Sequence, residues 1–251
     1  MTTAVATPAT HRAELAVAEQ QLLKALDRPD GWAREPSGLP GWSRGHVVAH
    51  LLGNLEGMLN LVTWATSGEP TPMYASPEAR QADIDSRSGW PMARLRGELN
   101  DRSAEFALAC ESLVEPLPCH HLRLGSGAPA EAWQLPMLRV REIEIHRVDL
   151  ADDYRPQDWS AAFVVRTLGQ VHPTMVDRGT LPVAQLRATD TGRAWQCGGT
   201  GPDLWGQEAD LLAWLIGRPH GQLTLRPPVG RAPAPTAGST ADVVPAAPPW
   251  A

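Results

Sequence analysis

Cysteine is scarce in this chain. Cys110, Cys119 and Cys197 are odd in number and widely spaced. No two form a CxxC pair, which excludes the usual thiolate zinc site. None sits at a recognisable helix start among cations, so burial as an inert thiol is the expected fate. Lysine is scarcer still: Lys24 is the only one. The remaining cations are arginines that form no cluster, and the net charge is −6. Nucleic acid and anionic membrane are therefore not expected partners, since both need grouped cations. There is no apolar run of about 18 residues and no secretory leader. A reduced cytoplasmic protein is the expectation. GxSxG, P-loop and dinucleotide motifs are also missing. The Gly-rich "CGGTGPDLW" is a weak phosphate signal and reads better as a turn.

What is present is an ordinary globular composition: 251 residues, 43% hydrophobic and 20% charged. The length suits one large domain or two small ones. The first half has helical periodicity. Leu15, Ala18, Leu22 and Leu26 recur every three to four residues. After a Gly/Pro loop, Ser43 can cap a helix over 44–66, with Val47, Leu51, Leu55, Met58 and Val62 on one stripe. The Pro-rich "SGEPTPMYASPEAR" reads as a second loop. Further helices are expected over 91–113 and 131–152. Four helices with long loops predict a four-helix bundle, an architecture that builds metal sites from facing side chains.

The second half differs. A helix is expected over "VVRTLGQVHPTM". "VAQLRATD", "GRAWQCGG" and "QLTLRP" alternate like half-buried strands. "PDLWGQEADLLAWLIGR" reads as an amphipathic helix with Asp203 near its start, and the Pro/Ala tail after Arg226 as extended chain. The fold class is thus mainly α followed by α+β. The domains are a four-helix bundle over residues 1–154 and a smaller α/β domain over 155–251.

The chemistry concentrates in two short stretches. In "REIEIHRVDL", Glu142 and His146 are four apart and share a helix face, about 40° apart at 100° per residue. Glu144 lies about 200° from Glu142 by the same count and is expected to face solvent. Asp149 returns to the side of His146. In "GWSRGHVVAHLLGN", His46 and His50 form a similar pair, with His50 inside the apolar stripe. Two imidazoles and one carboxylate from two helices are a donor set for catalytic zinc with an open position. Spacing alone leaves the bland alternative open: core-facing or surface polar residues without metal. His120 and His121 are adjacent and diverge on any regular element. Trp42, next to the second helix, can line a pocket.

"GWSRGHVVAHLLGN", "TWATSGEPTPMYASPEAR" and "RVREIEIHRVDL" together resemble the mycothiol-dependent maleylpyruvate isomerase family. "TPMY" and "SPEAR" are the most specific part, and "WGQEADLLAWLIGR" with the Pro/Trp ending extends the resemblance over nearly the whole chain. The resemblance implies a DinB-like bundle followed by a sterol-carrier-like α/β domain. It implies zinc held by His50, Glu142 and His146, with Arg80, in the loop after the second helix, serving catalysis. It further implies mycothiol as a low-molecular-weight thiol cofactor and a small substrate, maleylpyruvate, isomerised to fumarylpyruvate within the gentisate branch of aromatic catabolism. Oligomeric state is left open, with a monomer the simplest case. Two other functions stay open at this stage: a mycothiol S-transferase acting on another electrophile, and a non-catalytic zinc-binding regulator in which His46 closes the site.

Overall fold

The computed structural model describes residues 8–179, 181–199, 201–228 and 244–248. It divides into two compact units, Met1–Asp152 and Asp153–Ala251. Most of the Pro/Ala tail lies outside the described residues. Among those described, no helix is long and apolar enough to cross a membrane.

The first unit carries α1 (Pro8–Ala25), the short α2 (Asp30–Ala33), α3 (Arg44–Ser67), α4 (Pro77–Arg87), α5 (Met92–Ala109) and α6 (Leu135–Asp149). Helix α1 packs on α5 and α6, and α3 packs on the same two. That closes a four-helix ring with α1 and α3 diagonal and α3 beside α6. The core is built on the predicted stripes: Leu15, Ala18 and Leu22 of α1 and Val47, Leu51, Leu55, Met58 and Val62 of α3 are all buried. Full burial of one such Leu or Val stabilises by about 1.5–3 kcal/mol.

Helix α3 starts as expected at Ser43, whose side chain accepts from the His46 backbone N–H. It stops at Gly68, which takes φ 80°, the left-handed conformation glycine adopts without penalty. The chain then makes a loop, but not as far as the sequence suggested. Ser76 caps a helix with Pro77 in its first turn, so Arg80 stands on α4 rather than in a loop. The Pro-rich run hides a proper start signal, a capping serine followed by proline. Helix α4 lies against α3.

A buried polar network locks the bundle. Arg139 on α6 is fully buried; its Nε donates to Glu19 of α1 at 2.8 Å, and its Nη1 donates to the Leu51 carbonyl at 2.8 Å and to Asn54 at 3.1 Å. Ser103 of α5 donates to the other Glu19 oxygen at 2.8 Å. The pair thus joins all four helices next to His50. Removing one partner of a buried ion pair of this kind costs about 3–5 kcal/mol. A two-stranded sheet, β1 (His121–Arg123) against β2 (Pro129–Glu131), precedes α6.

The second unit holds α7 (Ala161–Asp177), α8 (Glu208–Leu215) and a four-stranded sheet. The strands are β3 (Gln185–Ala188), β4 (Ala194–Gln196), β5 (Asp203–Gly206) and β6 (Thr224–Arg226), in the order β4-β3-β5-β6. Strands β3 and β5 are parallel; the other pairs are antiparallel. Buried Leu186 and Leu204 share one face, and α8 packs on their strands. Asp203 is a buried strand residue, not the start of α8, which begins at Glu208. An extended Asp-Leu-Trp-Gly run precedes the helix, and the periodicity of "EADLLAWL" had been carried too far upstream.

Candidate metal centre

Helices α3 and α6 bring His50, Glu142 and His146 together. One ligand atom from each lies within 4.8 Å of the others. The two Nε2 atoms are 2.9 Å apart, and the rings meet edge to face. Glu142 Oε2 is 3.3 Å from His50 Nε2 and 3.7 Å from His146 Nε2. The one-turn spacing on α6 puts Glu142 and His146 on one face, and the Arg139 network sets α3 against that face at the level of His50.

Each imidazole has a defined second partner. His146 Nδ1 donates to Asp149 Oδ2 at 2.7 Å. Because a carboxylate only accepts, this assigns the Nδ1–H tautomer and leaves the Nε2 lone pair aimed at the trio. Asp149 is almost fully buried, so the contact is shielded from water. Arg80 Nη2 lies 3.0 Å from His50 Nδ1. An arginine can only donate, so the hydrogen of His50 is placed on Nε2, inside the trio. Trp42 lies beside His50, the ring centres 5.9 Å apart.

The protonation states suit a cation. Burial, then the charge of His146, pushes His50 down to about 4; Arg80 adds to this, while Glu142 pulls the other way. Burial by itself would raise Glu142, but its bond to His50 and the charges of His146, His50 and Arg141 prevail and hold the carboxyl below the usual carboxylate range. An ionised Glu142 beside a neutral His50 is the state in which these groups ligate metal. Two imidazoles and a carboxylate, with one tautomer pre-set by Asp149, fit zinc with a position left open.

Two predictions arise here. Asp149→Asn cannot accept from Nδ1–H with a carboxylate's strength, so zinc affinity should fall about 10- to 100-fold with the fold retained; competition with a chromophoric chelator measures it. The second concerns acid. His50 has a lower pKa folded, about 4, than the ordinary 6.5, so the unfolded chain binds more protons in that window. This contribution to stability is therefore complete above pH 6.5 and is lost as pH falls toward 4, on the order of 3 kcal/mol in all. Melting of metal-free protein between pH 7 and pH 4 should show a steeper decline than in His50→Gln; parallel curves would contradict the assignment.

Other sequence expectations resolve differently. His46 is not part of the trio. Its ring bonds to the backbone and hydroxyl of Ser43 in a capping box, and its Nε2 is 4.0 Å from Asp85. Glu144 is not solvent-facing: it is 8% exposed and lies 3.8 Å from Arg147, which also bonds Gln21 of α1. The angular count was right that Glu144 points away from Glu142. It did not show that α1 covers that side of α6. His120 and His121 pair with Glu115 and Glu131. Burial pushes the Cys110 thiol up to about 12 and that of Cys197 up to about 11, so both are inert at neutral pH. The residues missed were the buried Arg139 clamp and Tyr74, which lies near Arg80; Asp149, placed on the side of His146, proves to be its hydrogen-bond partner. Asp149 had a signal, its i+3 spacing from His146.

The fold is a helical bundle whose adjacent helices α3 and α6 bring two imidazoles and one carboxylate into a cluster that could hold a metal ion. Residues 12–151 match the family described as mycothiol maleylpyruvate isomerase N-terminal domain. The match spans more than half of the chain, and the protein belongs to that family. Two solved structures have the same fold. One, a mycothiol-dependent maleylpyruvate isomerase, superposes with a TM-score of 0.83 at 24% identity, covering 94% of this chain and 99% of that one. The other, a histidine-to-alanine mutant of the mycothiol-dependent maleylpyruvate isomerase, gives 0.82 at the same identity and coverage. No curated protein matches significantly.

Proposed function

We propose that the protein is a thiol-dependent cis–trans isomerase that converts maleylpyruvate to fumarylpyruvate, with mycothiol as cofactor and zinc held by His50, Glu142 and His146. The observation that carries this reading is the convergence of those three donors, with Arg80 against one of them, in a chain of this family.

The alkene of the substrate cannot rotate while it is a double bond. A thiolate that adds to the carbon beside the carboxylate forms a C–S bond and sends the π pair to the conjugated carbonyl oxygen. The central C–C bond is then single and turns. Return of the electron pair expels the thiolate and leaves the trans alkene, with no net change in protons or electrons. Zinc in this trio would hold a thiol deprotonated at neutral pH, where a free thiol has a pKa near about 8.5.

The chain's own residues do the rest. Asp149 keeps the His146 lone pair directed inward. His50 Nε2 carries the hydrogen only while that nitrogen is not a ligand. Once Nε2 ligates, the hydrogen belongs on Nδ1, where it would face the Arg80 donor at 3.0 Å. Two donors at that distance would repel, and Arg80 would then be available to an incoming carboxylate. Its planar fork suits that group in two parallel bonds. Trp42 offers an apolar ring beside His50. In this reading the metal-bearing domain ends near residue 154 and the sterol-carrier-like domain from 155 supplies none of the three donors.

The fate of the thiol tests the proposal against an S-transferase. With one equivalent of mycothiol and a hundred of maleylpyruvate, an isomerase converts all the substrate and returns free thiol. A transferase stops after one equivalent with a stable thioether, visible by mass spectrometry.

A further inference from the structure

We propose that Tyr74 is a catalytic hydrogen-bond donor whose phenol O–H binds the substrate carbonyl oxygen that takes up negative charge when the thiolate adds. The assignment deepens the isomerase reading above and rests on it.

The loop between α3 and α4 is built to hold this side chain. Asn60 of α3 donates to two successive loop carbonyls, those of Pro72 at 3.2 Å and Met73 at 3.4 Å. Met73 is buried against Gly57 of α3, where an added Cβ would come within 3.0 Å of its side chain. The backbone N–H of Gly125, in the turn between β1 and β2, meets Met73 Sδ at 3.1 Å. Met73 is thus an anchor with a notch cut for it, and Tyr74 follows directly. Its ring lies against Gly125, where a Cβ would sit 2.7 Å from Cε2. The Arg80 guanidinium is 5.6 Å from the ring centre. The ring is thus held between Gly125 on one side and Arg80 on the other.

The charge of Arg80 stands close enough to the phenol to oppose the effect of its burial. A phenol oxygen offers lone pairs and one hydrogen, whereas arginine offers hydrogens only. Toward Arg80 the phenol oxygen can therefore only accept, which leaves the phenol hydrogen for whatever occupies the site. Donation from a cation polarises the O–H and strengthens it as a donor. Burial raises the phenol above its ordinary 10, against the opposing pull of Arg80, so the hydrogen stays on at neutral pH.

Arg80 itself touches His50, so Tyr74 and Arg80 together stand at the edge of the trio. This is where charge develops: the pair of electrons displaced from the alkene reaches the carbonyl oxygen while the C–S bond forms. The O–H bond of Tyr74 need not break. It shortens its contact to the oxygen as charge builds and relaxes when the pair returns and the C–S bond cleaves. A donor fixed in advance at that point acts mainly in the transition state.

Tyr74→Phe is the test, because it keeps the ring that packs on Gly125 and removes only the O–H. The zinc-loaded variant should melt and bind zinc like the parent. Its kcat for maleylpyruvate should fall about 10²-fold, with KM for the thiol unchanged. A kcat within about twofold of the parent overturns the proposal while leaving the isomerase reading intact, and identifies Tyr74 as a packing residue. A parent protein that neither isomerises maleylpyruvate nor binds fumarylpyruvate in calorimetry overturns both.

Discussion

His50→Ala should lose zinc to a degree beyond the about 10- to 100-fold typical of an outer-shell partner, and turnover with it. The substitution leaves one imidazole and one carboxylate, both from α6, and nothing from α3. His50 is the α3 donor and the residue that links the trio to Arg80 through Nδ1. Both relations go at once, so the loss should resist rescue by added metal. The fold should survive. The Arg139 network next to His50 uses the Leu51 carbonyl and the Asn54 side chain, neither of which changes. Elemental analysis of the dialysed variant beside the parent measures this, with circular dichroism as the folding control. Zinc retained at the parent's stoichiometry and affinity would mean that α3 does not complete the site.

The second large effect is expected for Arg80→Lys. Charge is conserved, and so are the three metal donors. Geometry is not: the guanidinium spans His50 Nδ1 on one side and the Tyr74 ring on the other, and an ammonium is a single point with no planar fork. Turnover should fall about 10²-fold with zinc content unchanged. If Arg80 only braced the surface of α4, exchange for lysine would shift stability by within about 0.5 kcal/mol and leave rates alone. Steady-state kinetics of the zinc-loaded variant decide; unchanged kcat and KM would remove Arg80 from the chemistry.

Much of this was legible in the sequence because helix phase is a rigid rule. The stripe of α3 put His50 inward, and the four-residue spacing put Glu142 and His146 on one face of α6. What phase cannot say is which other helix covers the far side. Glu144 was assigned to solvent on angle alone, yet α6 is enclosed by both α1 and α3, so buried residues occur all round it. Arg139 was equally hidden: an arginine in an apolar run reads as a surface residue until Glu19 of α1, 120 residues away in sequence, is known to face it. Arg80 was misplaced for a local reason. Prolines at 70, 72 and 77 mark a breaker-rich stretch, but the last of them opens a helix instead of interrupting one. Tyr74 had no periodicity to reveal it. Its place depends on Gly57 and Gly125, which are informative only once the loop is seen against them.

The most direct measurement is the absorbance of maleylpyruvate mixed with zinc-loaded protein, with and without mycothiol. The account predicts rapid loss of the cis isomer and appearance of fumarylpyruvate when a trace of mycothiol is present, and no reaction above background in its absence. Equal rates with and without the thiol, or no conversion with it, would contradict the thiol-dependent isomerase.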